Sequence, residues 1–277
     1  MIECKGLRGD NLLAFLAALG LLRTMHRLTG ATMSWEQGEA MWYPVLHGDT
    51  PHDELPVMLA DTLSSVPDCA ELSDPNLKMS RQEYRDYAAS HHDWGAAFAS
   101  EACLKPKEDI VRKSPWIVIG AAKQTIVPTL TRLAAEISAE KFVRTLFEPW
   151  DYADKGCSLR LDPADQKDYA LQWGDPSKEG AYTMHGACRL AIEALPLLPV
   201  IPTPRFTAIG ISDLKQAIWP IWSDPLGIAV VRSLLVSADL AGQGNRVALR
   251  RRGVREVYSS RKVHVGKYTA FAPAVPW

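Results

Sequence analysis

A proline-terminated apolar helix in the middle of the chain constrains the fold more than any other sequence feature. Between His185 and Leu195, apolar residues recur at helical spacing: Ala187, Leu190, Ala191, Ala194 and Leu195. The helix must end at Pro196, because proline lacks the N–H group and clashes with the preceding turn. Gly186 and the alanines would let another backbone come close. The pattern predicts a buried helix, with Arg189 and Glu193 as a weak supporting pair.

The segment that precedes this helix is rich in turns. Asp162-Pro163 and Asp175-Pro176 bracket an aromatic strand candidate at residues 169–173. Because Asp-Pro is typical of turns, we interpret Asp162 and Asp165 as turn formers and not as an acid/base pair. We interpret His185, at the start of the helix, as a core or capping residue.

Elsewhere the chain alternates between helical and strand patterns. Asp10 is placed to cap a helix over residues 11–28, and a second helical stretch covers residues 125–147 with a break at Pro128. Residues 117–120 form a buried strand candidate. Residues 74–113 lack periodicity and predict a loop region or a lid over a partner. Together, these helical and strand patterns favour an α+β fold, helix-dominated with short antiparallel strands and a basic C-terminal β-hairpin region.

The length of 277 residues suits one large domain or two modest ones. We expect a single domain over residues 1–277. The alternative is two subdomains: residues 1–113, an N-terminal α+β part with the polar loop region, and residues 114–277, a helical core with a basic β C-terminus.

Composition favours a cytoplasmic protein without a membrane span. The apolar residues 12–22 are flanked by Asp10 and Arg23, so we interpret them as a core helix. The five cysteines are scattered and form no CxxC pair, which favours reduced thiols and small core residues over a zinc site or disulfides. No cofactor motif is present, and we expect no cofactor.

Positive charge is concentrated near the C-terminus, although the net charge of the chain is only −1. Eight cations are opposed there by Glu256 alone: Arg246, Arg250, Arg251, Arg252, Arg255, Arg261, Lys262 and Lys267. Residues 49–74 are acidic and hold no lysine or arginine. This distribution indicates a local anionic partner.

We interpret the basic tail as a nucleic-acid-binding surface. The predicted phosphate contacts are Arg250, Arg251, Arg252, Arg255, Arg261 and Lys262, with Asn245 in the preceding turn. Tyr258, His264 and Tyr268 are interleaved and offer faces for bases. The alternative is a solvated hairpin whose arginines pair with the acidic segment. Three adjacent guanidinium groups at 250–252 cannot all be neutralised locally, which favours the first interpretation.

A second phosphate contact is predicted at residues 120–125, a small-residue turn that enters a helix. Free N–H groups there suit a phosphate, and Lys123 and Gln124 would assist. The spacing differs from a Walker loop, and a plain strand-to-helix turn remains the alternative.

The run His91-His92-Asp93 is the best candidate for a metal site. Neighbouring histidines can bind a metal, and Asp93 could join them. Adjacent residues usually point apart, however, and no second ligand cluster has recognisable spacing. We therefore expect a solvated loop, with no catalytic or metal-binding residues.

Several segments together resemble the large-subunit-like protein family of type I-G (formerly I-U) CRISPR-Cas effector systems. They are residues 7–22 (LRGDNLLAFLAALGLL), 159–163 (LRLDP), 169–171 (YAL), 175–177 (DPS), 186–196 (GACRLAIEALP), 219–222 (WPIW) and the basic residues 250–262. The likeness covers most of the chain in order. Large subunits of these complexes are usually longer, which makes this chain a reduced form or a separate accessory component.

The resemblance implies a non-catalytic subunit of an RNA-guided Cascade complex in antiviral defence. Such subunits contact guide RNA and target DNA beside the recognition motif, help open the DNA and recruit the helicase-nuclease. The implied partners also include the backbone and handle-binding effector subunits. Two alternatives remain open: a metal-dependent nuclease that uses His91, His92 and Asp93, and a protein-only adaptor or inhibitor that binds an acidic partner.

Overall fold

The computed structural model describes residues 1–66, 74–119, 125–165, 181–202, 206–212, 214–242, 246–265 and 268–277. The described residues hold ten helices: α1 Leu12–Thr29, α2 Leu55–Leu63, α3 Arg81–Ser90, α4 His92–Phe98, α5 Ile126–Glu136, α6 Ala139–Phe147, α7 His185–Glu193, α8 Ile228–Leu235, α9 Ala238–Ala241 and α10 Arg246–Arg251. The predicted strand at residues 169–173 lies outside the described residues.

The strands are short and pair antiparallel. They are β1 Ile2–Glu3, β2 Thr32–Gln37, β3 Trp42–His47, β4 Ala99–Leu104, β5 Val111–Lys113, β6 Asp154–Lys155, β7 Tyr182–Thr183, β8 Phe206–Thr207, β9 Gly210–Ile211, β10 Gln216–Trp222, β11 Val254–Val265, β12 Tyr268–Phe271 and β13 Val275–Pro276. The predicted helix-dominated α+β class is confirmed.

Two sheets contain most of the strands. The N-terminal sheet has the order β1–β3–β2, and the C-terminal sheet has the order β12–β11–β10–β9–β8, with β13 also paired to β11. β4 pairs with β5 and β6 with β7 in two separate hairpin-like pairs. In the C-terminal sheet, the long strand β11 lies between β10 and β12. Its antiparallel pair with β12 forms the predicted basic hairpin.

Helix α1 is buried along most of its length and organises the core. Asn11, not Asp10, caps it: the Asn11 side chain accepts a hydrogen bond from the N–H of Ala14 at 3.0 Å. Asp10 is turned away by a paired hydrogen bond from Arg8 at 2.8 and 3.0 Å. The helix is long and apolar enough to cross a bilayer, yet 78% of it is buried inside the protein. The interpretation of residues 12–22 as a core helix is confirmed.

The small residues of α7 and α1 permit the close backbone approach that the sequence predicts. A Cβ atom added at Gly20 would lie 1.8 Å from the carbonyl oxygen of Leu190. A Cβ atom added at Gly186 would lie 2.3 Å from the Thr145 hydroxyl on α6. Since real Cβ contacts are never this short, both positions require glycine for the helices to pack as they do.

Arg189 and Glu193 form the predicted pair, and both side chains are buried. Arg189 donates to Glu193 at 2.9 Å, and Arg23 from α1 donates to the other carboxylate oxygen at 2.7 Å. Arg189 also donates to the carbonyl of Leu63 at 3.0 Å. Each charge is thus compensated inside the protein, which is the condition for burying an ion pair without a large desolvation cost.

An aromatic cluster joins the two sheets across α1. Phe15 stacks on Trp35 with ring centroids 5.9 Å apart, and Trp222 meets Trp35 edge-on at 6.1 Å. The indole N–H groups of Trp219 and Trp222 donate to the carbonyls of Gly9 and Met33, each at 2.8 Å. The C-terminal strand β10 is therefore tied directly to the N-terminal part of the chain.

Three local predictions are wrong. Residues 74–113 contain α3, α4, β4 and β5 instead of an irregular loop; α3 begins with a capping box in which Ser80 and Glu83 bond each other's backbone N–H groups. The helical stretch 125–147 breaks at Ile137 and Ser138, and Pro128 lies in the first turn of α5, where its missing N–H is tolerated. The described residues 117–119 are outside any strand.

Candidate nucleic-acid interface

The described C-terminal cations lie on α10, in the turn that follows it and along β11. Residues 246–251 were predicted as part of a β-hairpin but form the short helix α10, with Leu249 buried and Val247 exposed. A six-residue segment with one buried side chain fits the apolar period of a strand as well as that of a helix. The sequence pattern therefore could not distinguish the two, and the strand prediction is wrong here. Gly253, at φ +83°, then turns the chain into β11.

Four exposed arginines at this turn form what we call the arginine patch: Arg250, Arg251, Arg252 and Arg255. Arg252 is neutralised by Asp239 at 2.6 Å, and Arg255 donates to the Ser223 hydroxyl at 2.9 Å. Within the described part of the chain, Arg250 and Arg251 form no ion pair with a carboxylate. The patch therefore keeps uncompensated positive charge at the surface.

Arg261 lies away from the arginine patch on the same strand. It is exposed and is separated from Arg255 by six residues of β11, which is about 20 Å in an extended chain. Lys262 next to it is half-buried and paired. The basic surface is thus divided into two regions along β11, and it is less continuous than the sequence suggests.

The predicted alternative, in which the tail pairs with the acidic residues 49–74, finds no contact in the described part of that segment. The partner of Arg252 is Asp239 on α9, and Arg246 instead donates to the carbonyl of Trp277. Three further predicted contacts, Lys123, Gln124 and Asn245, lie outside the described residues.

Two of the three interleaved aromatic side chains are described. Tyr258 is half-buried and packs on Trp219 with ring centroids 6.1 Å apart, and burial raises the pKa of its hydroxyl. His264 is exposed, with Nδ1 3.0 Å from the hydroxyl of Thr269. The side chain of Tyr268 lies outside the described residues. Of the two described rings, that of His264 is the exposed one.

The residues of the metal-site alternative are engaged elsewhere. His91 ends α3 and stacks on Tyr87 at 4.6 Å. Asp93 lies 3.7 Å from Arg23 and 3.9 Å from Arg232. Among the residues that the structure describes, no group of three histidine, cysteine or acidic side chains is arranged to hold a metal ion.

A cleft of about 590 Å³, which the sequence does not predict, lies beside the end of β12 in the C-terminal sheet. Its walls come from five separate segments: the chain around the start of α1, Met41 before β3, the end of α6 with the loop after it, the turn at residues 162–164, and residues 273–274 after β12. Trp150, Tyr152 and Phe147 supply aromatic surface, and Arg8, Asn11 and Asp162 supply polar groups.

Asp162 forms the polar floor of this cleft and is only 2% exposed. Its carboxylate accepts hydrogen bonds from the N–H of Ala164 at 2.7 Å, from Asn11 Nδ2 at 3.1 Å and from the Tyr152 hydroxyl at 3.3 Å. Burial raises the pKa of Asp162, and burial together with this carboxylate raises the pKa of Tyr152. The bond from Ala164 confirms the predicted turn at Asp162. The bonds from Asn11 and Tyr152 are not predicted by the sequence.

No pattern in the sequence joins Asn11 to Asp162 across 151 positions. The one local signal is the aromatic pair Trp150 and Tyr152 directly after Pro149. Comparison with protein-family models finds no match for this chain, and no curated protein matches it significantly.

Proposed function

We propose that this protein is a non-catalytic nucleic-acid-binding subunit of an RNA-guided type I CRISPR effector complex in the cytoplasm. The observation that carries the binding part is the arginine patch, where Arg250 and Arg251 are exposed without a carboxylate partner among the described residues. Uncompensated guanidinium groups attract a polyanion, and each phosphate they neutralise releases counterions.

The effector assignment rests on the sequence resemblance, and the surface chemistry agrees with it in kind. Base pairing between guide RNA and target DNA would supply sequence recognition, while this subunit would hold the backbone beside the recognition motif. Partners would be guide RNA, target DNA, the backbone and handle-binding subunits, and the helicase-nuclease. Arg261, about 20 Å from Arg255, would hold the same strand a few nucleotides further along.

The test of the binding part is a salt series with an arginine-patch variant. Arg250→Ala combined with Arg251→Ala should weaken single-stranded DNA or RNA binding about tenfold and lower the slope of log affinity against log salt by about 1–2. Fluorescence anisotropy with labelled single strand, duplex and RNA measures both quantities.

Arg112→Ala is the matched control, because Arg112 is an exposed arginine on β5 outside the predicted interface. It removes the same kind of charge and should leave affinity within about twofold. Unchanged affinity in the double variant would overturn the role of the arginine patch. Absent or salt-independent binding by the wild type would favour the adaptor that binds an acidic protein.

The effector part is tested by co-expression with a guide RNA and the other effector subunits. Co-purification of the chain with an RNA-containing complex is the expected result. A complex that assembles fully without this chain would contradict the assignment.

A further inference from the structure

The cleft beside the C-terminal sheet has the dimensions of a ligand site. Its volume of about 590 Å³ falls within the range of about 300–1,000 Å³ typical of small-molecule pockets. Such pockets combine mostly apolar walls with a few placed polar groups. Here the apolar part is aromatic and proline-rich, and the polar part includes Asp162 with its hydrogen-bond partners Asn11 and Tyr152.

The aromatic wall is held in a fixed orientation. The indole N–H of Trp150 donates to the carbonyl of Thr145 at 3.0 Å, and the ring meets Tyr152 edge-on with centroids 6.0 Å apart. Tyr152 has a backbone φ of +51°, a conformation that non-glycine residues rarely adopt. Its hydroxyl contacts Asp162, so the strained backbone is what directs this ring towards the cleft floor.

The polar end retains both donors and acceptors after its internal bonds are counted. Arg8 uses Nε and one terminal nitrogen on Asp10, which leaves its other terminal nitrogen available to donate. Asn11 Nδ2 has a second hydrogen, and the Tyr152 oxygen can accept. A mixed donor and acceptor edge of this kind matches the hydrogen-bonding edge of a nucleobase.

The wall formed by residues 273–274 continues directly into the predicted interface. Residues Pro273 and Ala274 follow Ala272, whose N–H donates to the carbonyl of Arg261 at 2.9 Å. The Ser260 hydroxyl donates to the carbonyl of Ala272 at 2.5 Å. The backbone of Arg261 is therefore bonded to the residue that directly precedes this wall of the cleft.

We propose that this cleft takes up one unpaired base of the bound nucleic-acid strand, stacked on Trp150 with Tyr152 edge-on to it and with its polar edge towards Arg8, Asn11 and Asp162. This inference rests on the proposed function, since Arg261 and the arginine patch hold the backbone of that strand. Stacking of a base on an aromatic side chain tolerates any base and adds affinity that phosphate contacts alone do not give.

The test compares a labelled single strand with an abasic strand that has the same sugar-phosphate backbone. Wild-type protein should bind the base-containing strand about tenfold tighter or more. Trp150→Ala should remove most of that difference and leave abasic binding unchanged, whereas Trp150→Phe, which keeps a ring, should retain most of it. Tyr182→Ala is the matched control, because Tyr182 is 56% exposed and does not line the cleft.

The outcomes separate this inference from the function on which it rests. If wild-type protein binds both strands equally, or if the Trp150 variants weaken both strands alike, the base site is overturned and strand binding stands. If wild-type protein binds neither strand, the nucleic-acid function fails and the base site with it. The double variant of Arg250 and Arg251 should weaken both strands by the same factor.

Discussion

At the scale of single residues, the environment of Asp165 opposes its negative charge. The Ser158 hydroxyl donates to one carboxylate oxygen at 2.6 Å, while the other oxygen is buried without a hydrogen-bond partner in the described residues. Burial, with the nearby Asp162 carboxylate as a smaller cause, raises the pKa of Asp165 from 3.8 to about 6. The folded protein therefore favours the protonated carboxyl group.

The consequence for stability has the opposite sign to that of a salt-bridged aspartate. Between pH 3.8 and about 6 the folded state binds more protons than the unfolded state, so stability falls as pH rises through this window. Above it, the cost of ionising Asp165 in the fold is fully present. Asp165→Asn removes this cost and should raise the free energy of unfolding by about 2 kcal/mol at pH 7.5.

Denaturant unfolding of the Asp165→Asn variant at pH 7.5 and at pH 4 measures this effect. The gain should shrink to near zero at pH 4, where the wild-type side chain is protonated in the fold. Asp49→Asn, at an exposed carboxylate, serves as the control and should change stability at neither pH. A variant that is less stable at pH 7.5 would contradict the assignment.

Residue roles that depend on the local chain could be predicted from the sequence, and roles that depend on distant partners could not. Asp162 forms the predicted turn because its acceptor reaches Ala164 two residues away. Its contact with Asn11 has no local signature. Similarly, the spacing of Arg189 and Glu193 indicates a pair, but only the packing of Arg23 beside them buries it.

At the scale of elements, the contact between α1 and α7 depends on the absence of a side chain at Gly20. Alanine forms helices better than glycine by about 1 kcal/mol, so propensity alone predicts that Gly20→Ala stabilises α1. The added Cβ atom would lie 1.8 Å from the Leu190 carbonyl oxygen, which forces the two helices apart. Overpacking of this kind should outweigh propensity and destabilise the protein by about 2–3 kcal/mol.

Thermal unfolding of Gly20→Ala against Gly242→Ala checks this prediction. An added Cβ at Gly242 would meet only the carbonyl of Ala238, at 3.7 Å, and the backbone φ of −97° accepts alanine. The control should therefore unfold within a degree or two of the wild type. An equal or higher midpoint for Gly20→Ala would show that the helices separate without cost.

Long periodic elements were predicted well, and short ones were not. α1 and α7 have apolar residues at helical spacing, which predicts their type, although α7 and most of α1 are buried on every side and not on one face alone. α10 has one buried residue, Leu249, and its type is decided by the tertiary fold instead. The break at Ser138 follows from its side-chain cap on α6, a signal that the nearby Pro128 obscures in the sequence.

At the scale of the whole molecule, contacts cross the boundary between residues 113 and 114 in several places. α1 packs on α7, Met33 pairs with Leu226, and the N–H of Val200 donates to the carbonyl of Ala96 at 2.8 Å. Since the N-terminal sheet and β10 share one aromatic cluster, neither part has a complete core of its own.

We therefore predict a single cooperative unfolding transition for the full chain. Tryptophan fluorescence reports on the shared cluster and far-ultraviolet circular dichroism reports on the helices, and their midpoints should coincide. Two separated transitions would contradict this prediction and favour two independently stable subdomains.

The candidate site shows the same division between local and long-range information. The arginine patch is contained in six consecutive positions, so charge clustering is enough to find it. The cleft is assembled from five segments that span residues 5 to 274. Long-range assembly of this kind leaves no period or motif in the sequence.

The burial of α1 by partners that come late in the chain has a consequence for biosynthesis. Its apolar surface is covered by α7 and β10, which leave the ribosome more than 150 positions later. At a synthesis rate of about 5–20 residues per second, the apolar surface of α1 stays exposed on the nascent chain for on the order of ten to thirty seconds. Production of this protein should therefore depend on chaperones that shield hydrophobic segments during translation.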